Sequence, residues 1–283
     1  MKKILITGAN SYIGTHVENW LVKENSTQEK YKVDTLDMLD VNWINKDFTG
    51  YDVVFHVAGI VHQKETSRNE SLYYEVNERL AISVAEKAKH SGIGHFIILS
   101  SMSVYGFDKG HITKSTLPSP KTHYGKSKYN ADNRILEMAN EKFVVSIVRP
   151  QMVYGKGCKG NYGLLRKIAL KSPIFPKYNN ERSMIYIDNL AIFIQKIIDG
   201  KLQGVFLPQD REFVNTSKMV LEIARCNNRK CMLCGMFAPF IHIGKMLNIT
   251  LVNKVFGNLT YERCDVVEGK SFVEIMQEVE KNN

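Results

Sequence analysis

Apolar residues in the first half of the chain follow two alternating rhythms. Runs of strand length occur at Lys3–Ile6, Lys32–Leu36, Val53–Val57, Phe96–Leu99 and Val144–Val148, and helically spaced segments lie between them at Ile13–Glu24, Leu72–His90 and Tyr124–Asn140. Strand–helix alternation predicts an α/β fold with a parallel sheet covered on both faces. Val53-Val54-Phe55 and Phe96-Ile97-Ile98-Leu99 are continuous apolar runs, the pattern of strands buried on both sides. After Arg149-Pro150 the rhythm loosens. Gly155 to Gly163 reads as a basic, glycine-rich loop, Met184–Ile187 as a strand, and Asp188 as the cap of a helix over Asn189–Ile198. Beyond Leu202 the segments are shorter and irregular. The pattern predicts a Rossmann-type doubly wound parallel sheet on residues 1–160, with a return segment at about 184–200. A smaller mixed α/β C-terminal cap follows from 161–183 and 201–283.

Composition narrows the class. With 283 residues, 44% of them hydrophobic and 24% charged, the chain reads as an ordinary globular protein. Its net charge of +9 is scattered, with no basic tail. That pattern fits a solvated surface with a local field for phosphates, and argues against a nucleic-acid partner. The N-terminal apolar run stops at Thr7-Gly8, too short for a secretory signal. The longest uncharged stretch, Cys231 to Gly244, is too short to span a bilayer; it reads as buried or substrate-facing structure, with an interfacial patch as the alternative. Among five cysteines, Cys231 and Cys234 form a single C-x-x-C with no second pair. The expectation is therefore reduced thiols, no metal site, no stable membrane insertion and a cytoplasmic setting.

The first strand runs into Thr7-Gly8-Ala9-Asn10-Ser11-Tyr12-Ile13-Gly14, which opens the first helix. Free N–H groups and the helix dipole make that turn a place for a pyrophosphate, held by Gly8, Asn10, Ser11, Tyr12, Ile13 and Gly14. The spacing is G-x-x-G-x-x-G with serine at the middle position, and no Gly-Lys-Ser/Thr follows, which disfavours an ATP loop. The second strand ends at Asp37, where a carboxylate binds ribose hydroxyls and repels a 2′-phosphate, favouring NAD over NADP; Asp34 and Asp40 are rivals for that role. Tyr124 and Lys128 lie four apart on a helix and share a face. A neighbouring ammonium and a positive nicotinamide ring are expected to bring the phenol from about 10 toward neutrality, making Tyr124 an acid–base group on a sugar hydroxyl or ketone. Ser100, Ser101 and Ser103 follow the strand Phe96–Leu99, any of them placed to bond the reacting oxygen; spacing alone does not choose.

These pieces, in this order, resemble the extended short-chain dehydrogenase/reductase superfamily, in particular its NAD-dependent nucleotide-sugar epimerase/dehydratase family with the UDP-glucose 4-epimerases. The matching segments are Thr7–Gly14, Asp52–Gly59, Asn77, Ser100–Gly106, Tyr124–Lys128, Arg149–Gly155 and Arg182–Asp188. The resemblance implies a catalytic Ser101, Tyr124 and Lys128. It implies NAD contacts from Val57, Ala58, Gly59, Asn77, Ser100, Tyr124, Lys128 and Pro150 besides the glycine loop. It also implies substrate contacts from Ser101, Ser103, Tyr124, Lys159, Asn161 and Arg182, the arginine on a diphosphate. The chain departs from the family at Ser11, at Met152 where many epimerases carry asparagine, and at Met102-Ser103 where dehydratases carry Asp-Glu. Without that acid–base pair 4,6-dehydration is disfavoured. The implied activity is 4-epimerisation of a UDP-hexose or UDP-N-acetylhexosamine through a 4-keto intermediate, serving cell-surface polysaccharide biosynthesis. The alternatives are a 4-keto-sugar reductase or dehydrogenase and a non-catalytic NAD-binding regulator. A homodimer pairing the helices at Leu72–His90 and Tyr124–Asn140 is implied by the same resemblance.

Overall fold

The computed structural model describes residues 1–25, 29–61, 65–66, 68–158 and 160–281. In chain order the elements are β1 (Lys2–Thr7), α1 (Tyr12–Asn25), β2 (Tyr31–Leu36), β3 (Val53–His56), α2 (Glu70–Tyr73), a π-helical segment (Tyr74–Leu80), α3 (Ala81–His90), β4 (His95–Leu99), β5 (Gly110–Ile112), α4 (His123–Glu137) and β6 (Val144–Val148). They continue with β7 (Met152–Tyr154), α5 (Asn161–Lys171), β8 (Ile174–Pro176), β9 (Met184–Tyr186), α6 (Ile187–Gly200), β10 (Gly204–Phe206), β11 (Gln209–Asp210), α7 (Thr216–Cys226), β12 (Met232–Cys234), α8 (Ala238–Met246), α9 (Thr250–Phe256), β13 (Leu259–Tyr261), β14 (Val266–Val267) and α10 (Phe272–Lys281). They form two compact units: Met1–Gly106, Leu117–Pro150 and Ile187–Pro208 make the first, and Phe107–Thr116, Gln151–Tyr186 and Gln209–Asn283 the second.

The first unit is built on a parallel sheet of order β10-β6-β4-β3-β1-β2. Side chains alternate across each strand. Leu5, Val54, Phe96, Ile98, Val145 and Ile147 therefore share one face, where Ala81, Val84, Ala85 and Ala88 of α3 and Ala131 and Ile135 of α4 cover them. The α3 residues follow i, i+3, i+4, i+7 spacing, and the small alanines let the helix lie close. α1 and α6 pack together, tied by a 2.7 Å bond from Trp20 Nε1 to Gln195 Oε1. The five strands expected from the sequence are present, and β10 adds a sixth beside β6. Asp188 is not a cap as expected: α6 begins at Ile187, so the carboxylate lies in the first helical turn, where it complements the positive end of the helix.

The second unit consists of short parallel pairs, β7 with β9, β8 with β12, β5 with β13 and β11 with β14. Buried polar residues hold them: the Tyr154 hydroxyl donates to Asp210 at 2.8 Å, and Glu280 of α10 accepts from Tyr162 and, at 2.9 Å, from Arg166 of α5. The segment Phe107–Thr116 belongs to this unit although the sequence placed it within the first. Its β5 is only three residues long and finds its partner, β13, near the end of the chain. Cys231 to Gly244, expected to be buried or substrate-facing with an interfacial patch as the alternative, is largely exposed: Met236, Phe237 and Phe240 face solvent. No helix among the described residues is long and apolar enough to cross a membrane, and no cluster of three His, Cys, Asp or Glu suited to a metal occurs among them.

Candidate active site

The carboxyl ends of successive strands in the first unit carry Gly8, Asp37, Val57, Ser100 and Arg149. β2 and β3 flank β1 on opposite sides, so the chain reverses its winding there, and a crevice opens at such a switch point. Gly8 and Ala9 N–H donate to Leu36 O at 2.8 and 3.1 Å, while Val57 and Ala58 N–H donate to Thr7 O at 2.9 and 3.0 Å. Gly8 has φ +111°, and a Cβ there would sit 2.7 Å from Ala58 N, so the turn requires glycine on both counts. Ser11, the departure from the glycine pattern, caps α1: its Oγ accepts from Gly14 N at 3.2 Å. Asp37 follows β2, half-buried, with one carboxylate oxygen taking Leu39 N–H at 2.9 Å. A glycine turn opening a helix at the switch point, with a carboxylate at the tip of the neighbouring strand, fits an NAD pyrophosphate and adenosine ribose.

Tyr124 stands in the first turn of α4, and the donors of that turn are satisfied. Thr122 Oγ1 accepts from Gly125 N at 3.0 Å, and the Glu65 carboxylate accepts from His123 N at 3.1 Å and Tyr124 N at 2.9 Å. This acid was not legible in the sequence, since it lies far upstream in a loop. Glu65→Ala leaves two helix-terminal donors unmatched and is expected to cost about 1 kcal/mol. It is also expected to lower kcat, because the turn it frees carries Tyr124. Urea midpoints and initial rates, with Glu65→Gln restoring part of both, check this.

Tyr124, Lys128 and Asp132 follow at four-residue intervals along one face of α4. Lys128 is buried, and its Nζ donates to Leu99 O at 3.0 Å. Burial drives the ammonium down from 10.5 to about 8 against the opposing pull of Asp132. The Tyr124 phenol is held above its ordinary value by burial, with the Ser101 hydroxyl working the other way. The expected lowering toward neutrality is thus not built into the protein alone. Ser101 also caps the turn after β4: its Oγ accepts from Ser103 N and donates to Ser103 Oγ, both at 3.2 Å.

Asn77 lies fully buried in the π-helical segment, a distortion common at functional sites. Its amide clamps Ile60, accepting from the N–H at 2.9 Å and donating to the carbonyl at 3.1 Å. A Cβ built on Gly59 would lie 2.8 Å from Asn77 Oδ1 and 3.0 Å from Lys128 Nζ, so the loop after β3 runs directly against both. Beneath them, Asp132 accepts from Ser100 Oγ at 2.8 Å and Arg149 Nε at 2.9 Å, and Arg149 Nη1 donates to Tyr105 OH at 3.0 Å. Ser100 therefore commits its hydroxyl inward, leaving its backbone at the strand end. A carboxylate one turn beyond Lys128 on the buried face was a readable signal for Asp132; its pairing with Arg149 was not. His56 is fully buried, held neutral by burial and the nearby Lys128 cation, which lower it to about 3, and its Nδ1 meets Thr7 Oγ1 at 2.8 Å.

Two of the expected substrate contacts are described in the second unit. The Arg182 guanidinium is half-buried, donates to Gly257 O at 3.1 Å, and forms no ion pair with a carboxylate among the described residues. Burial lowers it below its usual value despite Asp108 nearby. Asn161 is exposed at the start of α5, and Lys159 lies outside the described residues.

The profile of the NAD dependent epimerase/dehydratase family matches residues 4–204, from β1 through β10. UDP-glucose 4-epimerase of Vibrio cholerae is 31% identical over 249 residues, covering 79% of this chain and 75% of that protein. The N-acetyl-alpha-D-glucosaminyl-diphospho-ditrans,octacis-undecaprenol 4-epimerase of Escherichia coli O157:H7 is 28% identical over 243 residues, covering 80% and 73%. Among solved structures, UDP-glucuronic acid 4-epimerase from Bacillus cereus in complex with NAD superposes with a TM-score of 0.72 at 18% identity, across 99% of both chains, a likeness of fold. The chain belongs to the NAD dependent epimerase/dehydratase family and is an NAD-dependent enzyme of the extended short-chain dehydrogenase type.

Proposed function

We propose that the enzyme inverts the configuration at C4 of a hexose or N-acetylhexosamine carried on UDP. The observation that carries this reading is the Tyr124 phenol, buried one helical turn from the buried Lys128 and under the lowering influence of Ser101 at the carboxyl edge of the sheet. NAD, when bound, supplies the acceptor and donor of the C4 hydride. Tyr124 takes the proton from the sugar O4 and returns it once the 4-keto sugar has presented its other face. Ser101 holds O4 in line with the phenol. Lys128 keeps a positive charge one helical turn away and, through Leu99 O, fixes the end of β4. Asn77 holds the loop from Val57 to Ile60 against which the dinucleotide would lie. We assign Arg182 to the substrate diphosphate, which its unpaired, half-buried fork suits. Met102 and Ser103 cannot provide the acid–base pair that dehydration needs.

The test is incubation with a panel of UDP-sugars, 4-keto nucleotide sugars and a polyprenyl-diphosphate sugar, following product NMR and NADH absorbance together. A C4 epimer formed without net change in NADH supports the reading. Stoichiometric consumption of NADH makes the protein a 4-keto reductase instead. No turnover of any of them, with NAD still bound, leaves a regulator.

A further inference from the structure

We propose that the segment from β12 through α9 in the second unit is a docking element for a bilayer surface with anionic headgroups. The reasoning stands on exposure, spacing and charge, independently of the C4 reading. Met236, Phe240, Ile243, Met246, Leu247 and Leu251 are each between 51% and 81% exposed. Four of them, Met236, Phe240, Ile243 and Leu247, recur at intervals of four, three and four, so they form one stripe along α8 and the residues flanking it. The neighbouring side of α8 is the packed one: Ile241 and Gly244 are buried, and a Cβ on Gly244 would lie 3.0 Å from Val252 of α9. The helix thus turns an apolar stripe outward while a second one anchors it, the reverse of a surface helix that meets only water.

Charge identifies the occupant. From Ile223 to Tyr261 the chain contains Arg225, Arg229, Lys230, Lys245 and Lys254 and not one Asp or Glu. Arg225 is paired with Glu222, and Lys245 donates to the Tyr178 hydroxyl at 3.1 Å. Arg229, Lys230 and Lys254 are exposed and form no ion pair among the described residues. An apolar stripe flanked along the chain by exposed cations suits a phospholipid surface: acyl chains take the stripe and anionic headgroups the cations. A second copy of the chain is a poorer partner, since a two-fold interface opposes a patch with itself and would face these cations with their own kind. α8 has nine residues, so the geometry is that of a helix lying in the interface, its side chains reaching roughly 5–10 Å below the headgroups.

The experiment is co-sedimentation of the whole protein with vesicles of phosphatidylcholine alone and with phosphatidylglycerol making up roughly a third of the lipid. Binding to the anionic vesicles, at least about tenfold tighter than to the neutral ones and weakened by salt, is expected. Combining Phe240→Ser, Ile243→Ser and Leu247→Ser should lower it by at least about tenfold with the melting temperature unchanged, because all three side chains are exposed. Lys230→Gln and Lys254→Gln should each cost roughly fivefold. Absence of the protein from the anionic pellet overturns the proposal, as does undiminished binding of the triple-serine protein. So does a wild-type dimer in vesicle-free solution that the serine substitutions turn into monomer, which would give the stripe to a second copy.

Discussion

Tyr124→Phe is expected to lower kcat roughly 10³-fold while NAD content and melting temperature stay near those of the wild type. The substitution removes one oxygen and keeps the ring, which packs edge-on against Tyr73 with centroids 6.2 Å apart. Thr122 and Glu65 hold the backbone of that turn without help from the phenol. On the proposed mechanism, what is lost is the group that exchanges a proton with the sugar O4, and no neighbour replaces it. Ser101 is a hydroxyl of much higher pKa, and His56 is fully buried and kept neutral. Because burial holds the phenol above 10, an ionised Tyr124 has to be favoured by charge that arrives with the bound ligands. Initial rates with the epimerised UDP-sugar, beside a cofactor measurement on the purified protein, decide the matter. A variant retaining more than about a tenth of wild-type kcat would remove Tyr124 from the chemistry.

Lys128→Met is the second large effect, and it acts on stability as well as rate. The loss of a fixed charge one helical turn from the phenol is expected to cut kcat roughly 10²–10³-fold. The fold responds in the opposite sense. Lys128 is depressed in the folded protein from 10.5 to about 8, so between those values the unfolded chain holds a proton that the folded one has released. Stability then rises with pH across that window. The penalty is complete below about 8 and relieved by 10.5, and amounts to about 3 kcal/mol at roughly 1.36 kcal/mol per pH unit. Methionine carries no such penalty, although it forfeits the bond to Leu99 O, worth about 1 kcal/mol. Urea midpoints measured from pH 7 upward should show the variant's advantage over the wild type shrinking as the buffer becomes more alkaline. A difference that stays constant with pH would mean that the buried ammonium is not the source.

The central sheet was legible because its strands leave little choice. Val53-Val54-Phe55 and Phe96–Leu99 are apolar on both faces, and only interior parallel strands bury both. β10 was not legible: it is three residues long, starts at a glycine, and is a strand because β6 offers it an edge. The π-helical segment left no trace in the pattern, since Leu72 to His90 keeps a helical apolar face whether or not one turn is widened. In the candidate site, Tyr124 and Lys128 were readable from helix spacing, whereas the strand end offered Ser100, Ser101 and Ser103 alike and only the family resemblance pointed to Ser101. Glu65, Arg149 and Tyr105 act through partners 17 to 59 residues away, and no local rhythm records such a pairing. For Cys231 to Gly244 apolar content left burial, a substrate-facing wall and an interfacial patch all open. Which side of α8 meets protein is settled by Val252 against Gly244, not by composition.

The route of the chain between its two units has a consequence for synthesis. The first unit needs nothing beyond Pro208, so its sheet can close on the ribosome as soon as β10 emerges. The second unit receives β5 early and β7, β8 and β9 soon after. β5 and β8 then wait for β13 and β12, and Tyr162 and Arg166 wait for Glu280 in the final helix. A nascent chain that stalls or is truncated before β12 therefore carries a finished first unit joined to unpaired strand edges, and one cut before α10 leaves Tyr162 and Arg166 without Glu280, states that proteases and chaperones find first.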